Sequence, residues 1–455
     1  MTSETAADAA RPEPTTALAE SAPVPEQLER PAVAEATASP EHPAPERPAP
    51  GRSGSGPSTG EQPRRWFAGL LAVAAVVLVG LNLRAGIASA APLYHDLEAM
   101  LGYGTFIASL LPTIPVLCFA FAGAGTAWLV KRTGLERALA LALLLLTLGL
   151  AVRAVESTWL LLAGTVLGMC GLAVCNVAMP SFIREHHPHR TAAMTASYSV
   201  TLSVGATAAA AFSFPIATAL GSPTLGLAAW AVPAALALLV LLPIAAAARR
   251  SSGPVPPHVS PWPMLATRKG LLFTSLFAVQ ALLVYTFMSW YPHMLVTRGL
   301  DAATAGFMLG LLQAVSIPTV MIVLWMASKP RLLRPAFILT CASYVVGTVA
   351  LLVLPVGAAA VPSVFIGFGL GIFPLLMLLI SRSGETATET TALSTLAQSL
   401  GYLVAAIGPF GLGLLQGARG SWTVPLMILI GCTVVQFVLG YRITRYGRMP
   451  GQARA

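Results

Sequence analysis

"WFAGLLAVAAVVLVGLNLRAGIASAAPL", residues 66–93, is the stretch that decides the fold. Residues 66–83 carry no charged side chain, and about 20 apolar residues are enough for a helix to cross the hydrocarbon core of a bilayer. Only 10% of the 455 residues are charged and 56% are hydrophobic, whereas a soluble domain is about 25% charged. We therefore predict an integral membrane protein built from α-helices, because backbone groups in lipid must be hydrogen-bonded within each span.

Twelve apolar stretches of this kind are bounded by charged residues or by Gly/Pro turns. They predict six spans, a polar Pro-rich linker and six further spans. Because six is an even number, both halves have the same orientation in the membrane. The predicted fold is an all-α integral membrane protein of twelve transmembrane helices in two parallel six-helix bundles. The predicted spans are residues 66–93, 104–129, 136–154, 158–180, 193–218, 225–247, 270–293, 303–327, 335–355, 361–380, 391–416 and 423–444.

Composition divides the chain into five segments. Residues 1–61 hold ten acidic side chains against four arginines, and 12 of the 36 prolines precede Trp66. Such a segment cannot bury enough apolar surface to fold alone, so we predict that it is disordered. The predicted segments are a tail (1–63), an N-terminal six-helix bundle (64–248), a linker (249–268), a C-terminal six-helix bundle (269–445) and a second tail (446–455).

The lysines and arginines of the loops are distributed unequally between the two sides of the membrane. Short loops rich in these residues stay on the cytoplasmic side. Eighteen fall on the side of the linker and both tails, and the three on the other side are Arg153, Arg298 and Arg419. We therefore predict a plasma-membrane protein with both termini and the linker in the cytoplasm. The basic excess is spread over short loops, which argues against a nucleic-acid partner.

The two halves resemble each other at an offset near 200 residues. "TAAMTASYSVTLSVGA" from Thr191 aligns with "TALSTLAQSLGYLVAA" from Thr391, and "TIPV" (113–116) has a counterpart in "SIPT" (316–319). These matches lie at equivalent places in the two halves. Parallel repeats of this kind occur in transporters whose substrate site lies between the halves, near the middle of the membrane.

The basic turn "KRTGLER" between spans 2 and 3 resembles the Gly-x-x-x-Asp-Arg-x-Gly-Arg-Arg signature of the major facilitator superfamily. Arg132 and Gly134 match the signature, whereas Lys131 stands where its acid is expected. "LNLRAGIASAAPL", "LLPTIPVLCFAFAGAGTAWLVKRTGLERAL" and "NVAMPSFIREHHPHRTAAMTASYSVTLSVGA" are similar to the cyanate/nitroimidazole (CynX/NimT) family within it. The resemblance covers most of residues 66–445. It implies a secondary transporter of small solutes such as cyanate-like anions or nitroheterocycles.

Arg84 is the charged residue that lies well inside a predicted span. One interpretation is structural: its side chain reaches the headgroups or pairs with a carbonyl near Ala85 and Gly86. The other is functional, because an intramembrane charge marks a site by default. We find no Asp or Glu in any span core, so the guanidinium lacks an obvious ion-pair partner unless Asp96 reaches back toward it, and a solute could supply one. Its planar fork suits bidentate binding of a planar anion.

Polar side chains at mid-span depth complete the candidate substrate-binding set. Asn82 lies about 200° around the helix from Arg84, so the two share a cavity only if the helix unwinds near Gly86; otherwise Asn82 joins helices by hydrogen bonding. Each of the remaining residues is either helix-packing glue or a substrate contact. They are Asn176, Tyr198, Gln280, Tyr285, Gln313 and Gln398. Trp290 and Tyr291, near the end of span 7, are predicted to form part of an aromatic belt at the membrane surface.

Other chemistries lack their motifs. "REHHPHR" (184–190) groups three histidines but adds neither Cys nor a well-spaced carboxylate, so no metal site is predicted. No P-loop, nucleophile elbow or pair of catalytic carboxylates is present, which argues against ATP-driven transport, an enzyme or a bound cofactor. The five cysteines lie in apolar spans and are expected to act as small hydrophobic residues.

Three functions follow from these features. The first is a secondary active transporter, expected to be a monomer, that moves a small anionic or polar, cyanate-like solute by alternating access with Arg84 as its anchor. The second is an exporter of nitroimidazole-like or drug-like compounds on the same fold. The third, a remote alternative, is a membrane sensor or scaffold. If protons are the coupling ion, they travel on the solute or on groups near the outer end, namely His95, Asp96, His293 and Asp301.

Overall fold

A computed structural model describes residues 61–248, 260–384 and 386–446. The predicted first tail lies outside these residues except for positions 61–63, where the first helix begins, and so do most of the linker (249–259) and nearly all of the second tail. Each span of the described chain consists of one helix or of two consecutive helices. The N-terminal half contains, in span order, Glu61–Ala88 with Tyr94–Leu101 (1), Thr105–Leu110 with Ile114–Thr133 (2), Leu135–Val152 (3), Thr158–His186 (4), Thr191–Leu220 (5), and Pro223–Ala228 with Ala231–Ala247 (6).

The C-terminal half repeats this plan after a short helix at Trp262–Leu265. Spans 10 and 11 are each interrupted once, between Gly369 and Ile372 and between Ala405 and Ile407. The helices of this half, in span order, are Arg268–Val296 (7), Ala302–Ala327 (8), Pro330–Val353 (9), Ala360–Gly369 with Ile372–Ser383 (10), Ala387–Ala405 with Ile407–Arg419 (11), and Thr423–Tyr446 (12).

The helices have the length and composition of membrane spans. Eleven helical segments of the described chain are long and apolar enough to cross a membrane. Span 2 is the twelfth if its two parts, Ile114–Phe121 and Gly125–Thr133, are counted together, since they meet at an angle of 60°. The predicted all-α fold with twelve spans is thereby confirmed.

The packing of the helices shows the internal repeat. Within the N-terminal half, span 1 packs against spans 5 and 6, and spans 3 and 4 pack against each other. The C-terminal half repeats each pair six spans later, with span 7 against spans 11 and 12 and span 9 against span 10. Between the halves, span 5 packs against span 8 and span 2 against span 11, which are equivalent pairs under the same repeat. A substrate site between the halves would therefore be bounded by spans 1, 5, 7 and 11.

Small residues allow span 1 to approach span 5 closely. A β-carbon on Gly205 would overlap the backbone carbonyl oxygen of Leu81, and one on Gly80 would overlap the Thr201 hydroxyl. Small residues at helix interfaces let backbones approach closely in membranes, where packing rather than hydrophobic burial drives association. This contact fixes the part of span 1 that carries Arg84.

At the predicted outer end, aromatic rings join the two halves. This end is the one where span 1 leads into span 2 and span 7 into span 8. The ring pairs are Tyr94–Trp290, His95–His293, Phe106–Phe410 and Phe212–Phe307, with centroids 6.2, 6.3, 5.7 and 6.3 Å apart.

The predicted aromatic belt at Trp290 and Tyr291 is wrong, because both side chains are buried. Trp290 Nε1 donates to the carbonyl oxygen of Pro409 at 2.9 Å, and the hydroxyls of Tyr291 and Ser363 are 2.7 Å apart. The polar group of an aromatic ring near the end of a span can form its hydrogen bond inside the bundle as well as at the membrane surface. Here the neighbouring helices provide the partners.

Candidate functional site

Arg84 lies where the two halves meet. The helix of span 1 continues without a break from Glu61 to Ala88, and the Arg84 side chain is half-buried. Its charge acts electrostatically on Tyr198 of span 5, Tyr285 of span 7 and Tyr402 of span 11. Two of these tyrosines belong to the other half, so the Arg84 side chain lies within electrostatic reach of residues from both halves.

The guanidinium of Arg84 has no protein partner in the part of the chain that the structure describes. Neither a hydrogen bond nor an ion pair is formed by it there, and the two ion pairs of these residues are His186–Glu136 and Lys269–Glu389. The tyrosines that surround it are neutral. An arginine within the membrane normally pairs with another charge or with backbone carbonyls. The N–H groups of Arg84 therefore remain available to bind another molecule.

Aromatic rings form one wall beside Arg84, and we call the group of Phe119, Phe277, Tyr285 and Tyr402 the aromatic cluster. Phe119 of span 2 stacks on Tyr402, with centroids 5.5 Å apart and planes at 28°. Tyr402 meets Tyr285 edge to face at 6.0 Å and Phe277 at 5.1 Å. The cluster therefore includes rings from both halves and offers π faces as well as hydroxyl groups.

Asn82 takes part in helix packing. Its Nδ2 donates to the carbonyl oxygen of Leu78 at 2.8 Å and to that of Pro233, in span 6, at 3.0 Å. Because the helix does not unwind at Gly86, Asn82 and Arg84 occupy different faces, as a rotation of about 200° requires. The amide of Asn82 is thus used within the N-terminal half.

The predicted glutamines have different surroundings. Gln436 of span 12 donates its Nε2 to the Oε1 of Gln280, and both residues are fully buried. Gln398 Nε2 donates to the Ser394 hydroxyl at 2.9 Å within the same helix. Gln313 is 1% exposed, and among the described residues neither of its amide atoms has a hydrogen-bond partner.

Of the predicted residues, the structure brings Arg84, Tyr198 and Tyr285 together. Tyr198 is buried, and its hydroxyl is unpaired within the described ranges. Asn176 is half-buried on span 4, whereas Asn82 and Gln280 are engaged in packing contacts. Two further residues of the candidate site, Phe119 and Tyr402, are missing from the predicted set. The spacing of Tyr402 four residues after Gln398 indicates a shared face, but Phe119 gives no signal in an apolar span.

A cavity of about 420 Å³ lies at the predicted outer end between the halves. Its lining includes His95 and Glu98 from the first half and Trp290 and His293 from the second. His293 Nδ1 accepts a hydrogen bond of 3.2 Å from Trp422 Nε1, so the neutral ring carries its proton on Nε2. Two protonatable rings thus face each other across the junction.

Asp301 and the histidines of residues 184–190 have structural contacts. The Asp301 carboxylate accepts from the Thr304 backbone N–H at 2.8 Å and caps the helix of span 8. The residues that line the outer cavity do not include Asp301. His186 Nε2 lies 3.6 Å from the Glu136 carboxylate, and its ring stacks on Phe182 at 4.1 Å. Within the described residues, no group of three His, Cys, Asp or Glu side chains could hold a metal ion.

The repeated six-span architecture, with polar side chains where its halves meet, is the architecture of a multi-pass helical transporter. A model of the Major Facilitator Superfamily matches residues 66–409, and the chain belongs to that superfamily. The solved structure of the nucleoside transporter NupG has the same fold, with a TM-score of 0.66 at 9% identity, and the match covers 82% of this chain and 99% of that one. The protein is accordingly a transporter and not an enzyme.

Three bacterial relatives resemble the chain along most of their length. The uncharacterized transporter YycB of Bacillus subtilis (strain 168) is 30% identical over 81% of this chain and 92% of its own. The 2-nitroimidazole transporter of Escherichia coli (strain K12) is 31% identical over 82% and 94%. The cyanate transport protein CynX of the same organism is 25% identical over 79% and 94%. The resemblance to the CynX/NimT family is thereby confirmed.

Proposed function

We propose that the chain is a secondary active transporter that carries a small anionic or strongly dipolar solute by alternating access, with Arg84 as its anchor. The observation that carries this proposal is the Arg84 guanidinium at the junction of the halves, which lacks an ion-pair partner among the described residues. Its charge also reaches Tyr198, Tyr285 and Tyr402. A cyanate-like anion would be neutralised by Arg84 and could receive hydrogen bonds from the tyrosines.

The physical reason for expecting an anion is the cost of leaving a charge unpaired away from water. A desolvated cation loses several kcal/mol of hydration free energy unless a counter-charge or hydrogen bonds replace the water. Arg84 is half-buried, so water can compensate for part of this cost before a solute binds. A bound anion would replace that water, and the fixed fork of the guanidinium favours planar groups that accept two parallel hydrogen bonds.

The aromatic cluster favours a second candidate, a nitroheterocycle such as a nitroimidazole. A planar ring could lie against Phe119, Tyr285 or Tyr402 while its nitro oxygens accept hydrogen bonds from Arg84. Offset or edge-to-face aromatic contacts contribute about 0.5–1.5 kcal/mol beyond area burial. The 31% identity to a 2-nitroimidazole transporter supports the same candidate. Export of such compounds is therefore the alternative function.

Transport in proteoliposomes tests the proposal. We expect purified protein to move at least one of radiolabelled cyanate, nitrite, small carboxylates or 2-nitroimidazole at rates above empty liposomes. The Arg84→Gln variant should lose at least about ten-fold in initial rate, equivalent to about 1.4 kcal/mol. The exposed Arg419 supplies a control, since Arg419→Gln should transport normally. Normal transport by folded Arg84→Gln protein would show that the anchor role is wrong.

We further propose that protons are the coupling ion and that His95 and His293 take part. They face each other at the predicted outer end, beside the cavity of about 420 Å³. If coupling is to protons, a solute gradient should drive a change in internal pH, reported by an entrapped dye. The His95→Gln/His293→Gln variant should uncouple that signal from solute movement. An unchanged ratio of protons to solute would contradict the role of the two rings.

The orientation is also proposed, with both termini in the cytoplasm. Accessible cysteines test it in a variant that lacks the five natural ones. A cysteine at Ser222, in the loop between spans 5 and 6, should react in intact cells with a membrane-impermeant maleimide, whereas one at Ser252 in the linker should react only after lysis. Labelling of Ser252→Cys in intact cells would show that the proposed orientation is wrong.

A further inference from the structure

Arg153 is a second buried arginine, at the predicted outer end of the N-terminal half. It directly follows the helix Leu135–Val152 and ends span 3. Its side chain is 2% exposed and is among the largest fully buried side chains of the described chain. Gly164 of span 4 leaves room for it, because a β-carbon there would lie 3.3 Å from the Cγ of Arg153. The packing of spans 3 and 4 therefore holds this guanidinium inside the bundle.

The guanidinium of Arg153 is buried with donors that have no acceptor. Within the ranges that the structure describes, its Nε and Nη1 form no hydrogen bond, and no carboxylate pairs with it. An arginine side chain keeps its proton in proteins, so this buried group is a cation. A buried charge without a counter-charge is strongly unfavourable.

Arg298, at the same end of the C-terminal half, shows how such a residue is satisfied by the protein itself. Its Nη2 donates to the carbonyl oxygen of Leu354 at 2.6 Å, and its Nη1 donates to that of Leu351. Both carbonyls belong to the end of span 9, where helical carbonyls lack partners within their own helix. Arg153 has no equivalent acceptor among the described residues, which points to an acceptor that is not part of the chain.

A small cavity lies beside Arg153. Its walls come from spans 1, 2, 3, 4 and 6 and include Tyr94, Leu111, Pro115 and Thr165. The volume of this cavity is about 10 Å³, which is close to the room that one water molecule needs. The Thr165 hydroxyl donates to the carbonyl oxygen of Leu161 at 2.6 Å. Arg153 also lines the space, and its Nε and Nη1 have no acceptor among the described residues.

We infer that this cavity is a binding site for a single monatomic anion, a halide such as chloride, held by Arg153 with the Tyr94 hydroxyl beside it. A halide is little larger than water and accepts several hydrogen bonds at once. It would neutralise the buried guanidinium without displacing the surrounding helices. The site lies within the N-terminal half and is separate from the Arg84 site, so it is independent of the solute that is transported.

The position of Tyr94 gives this anion a role in the transport cycle. The Tyr94 ring lies against Trp290 of the other half, with centroids 6.2 Å apart, and Trp290 is fixed by its hydrogen bond to Pro409. A halide that holds Tyr94 in place would stabilise the contact between the halves at the predicted outer end. Halide binding is therefore expected to favour the state in which this end is closed.

Thermal unfolding of the purified full-length protein tests the site. The protein is exchanged into gluconate buffer, and sodium chloride, bromide or sulfate is added at constant ionic strength. We expect a saturable rise in the unfolding temperature with chloride and with bromide, and no such rise with sulfate, which is too large for the cavity. An equal rise with sulfate, or no saturable rise with either halide, would overturn the proposal.

Variants locate the effect. Arg153→Met keeps a flexible, unbranched side chain, shorter than that of arginine, and removes the charge. It should abolish the halide-dependent rise while unfolding at or above the temperature of the halide-free wild type. Arg419→Met, at the same end but exposed, and Arg84→Gln should both keep the halide response. Persistence of the response in Arg153→Met, or its loss in Arg84→Gln, would place the halide elsewhere and overturn the proposal.

A direct measurement does not depend on any variant being stable. Crystals of the wild-type protein grown in bromide should show one anomalous peak within hydrogen-bonding distance of Arg153 Nε or Nη1. Ordered bromide at the surface alone, with none beside Arg153, would count against the site.

Discussion

Phe119 and Tyr402 stack across the junction of the two halves, with ring centroids 5.5 Å apart and planes inclined at 28°. One ring belongs to span 2 and the other to span 11, which pack against each other in the described structure. If the halves move relative to each other by alternating access, as we propose, this stack is a contact that the transport cycle breaks and remakes. It also lies beside the cation that we propose as the anchor.

The first prediction concerns the π face of Phe119. Phe119→Leu keeps an apolar side chain but removes the ring, so the apparent affinity for 2-nitroimidazole should fall about 2- to 10-fold, corresponding to about 0.5–1.5 kcal/mol. Affinity for cyanate, which has no ring, should change little. Concentration dependence of uptake in proteoliposomes measures both. Phe121, 67% exposed on the same span, is the control: Phe121→Leu should leave both affinities unchanged, and equal losses for the two variants would refute a specific aromatic contact.

The second prediction separates charge from geometry at Arg84. Arg84→Lys retains a cation but loses the planar fork that binds a group through two parallel hydrogen bonds. We expect its affinity to lie between those of the wild type and Arg84→Gln, about ten-fold below the wild type, or about 1.4 kcal/mol. Ligand-dependent thermal shifts of the three proteins give the comparison. Wild-type affinity in Arg84→Lys would mean that only the charge matters.

The third prediction concerns the close approach of spans 1 and 5. A β-carbon on Gly205 would overlap the carbonyl oxygen of Leu81, so Gly205→Ala must push the helices apart at a cost of about 1–3 kcal/mol. Leu81 is about one turn from Arg84, and transport should decline as well. Gly431 is a helical glycine at which an added β-carbon would meet no atom within 4 Å. Its alanine variant should unfold at the wild-type temperature or slightly above, and a similar loss in both variants would contradict the packing explanation.

The fourth prediction uses the buried pair Gln280 and Gln436, which joins spans 7 and 12. Replacing one partner leaves the other amide buried and unpaired, so Gln436→Leu should destabilise the protein by about 1–3 kcal/mol. The double variant with Gln280→Leu should recover much of the loss, because no polar group is then left without a partner. Unfolding temperatures of the four proteins complete the cycle. Simple additivity of the two single changes would show that the residues do not interact.

Much of the fold can be predicted from the sequence, because the membrane restricts the spans to apolar helices of about 20 residues. Local geometry is also predictable from sequence. A rotation of about 100° per residue places Asn82 and Arg84 on different faces of the helix, and in the structure Asn82 contacts span 6. Arg84 itself is recognisable from sequence because a cation in an apolar run is costly. The prediction succeeds where one helix contains all the information.

The rest of the site depends on how helices that are distant in sequence are brought together. Phe119 is one apolar residue among many in span 2, and only the docking of the halves places it on Tyr402. Gln280 and Gln436 are 156 positions apart, and the sequence around either residue does not predict their hydrogen bond. The sequence places Arg153 at the outer end of span 3 among the basic residues of that side and gives no signal of its burial. The missing side chain of Gly164 leaves room for it in the interior.

The burial of Tyr94 against Trp290 makes the contact between the two halves dependent on temperature. Separating the halves at that end would hydrate ring surfaces that are now hidden, and hydration of apolar surface raises the heat capacity. Attraction between such surfaces weakens on cooling. Cooling should therefore weaken the contact between the halves at the predicted outer end. The population of the state in which this end is open should rise as the temperature falls.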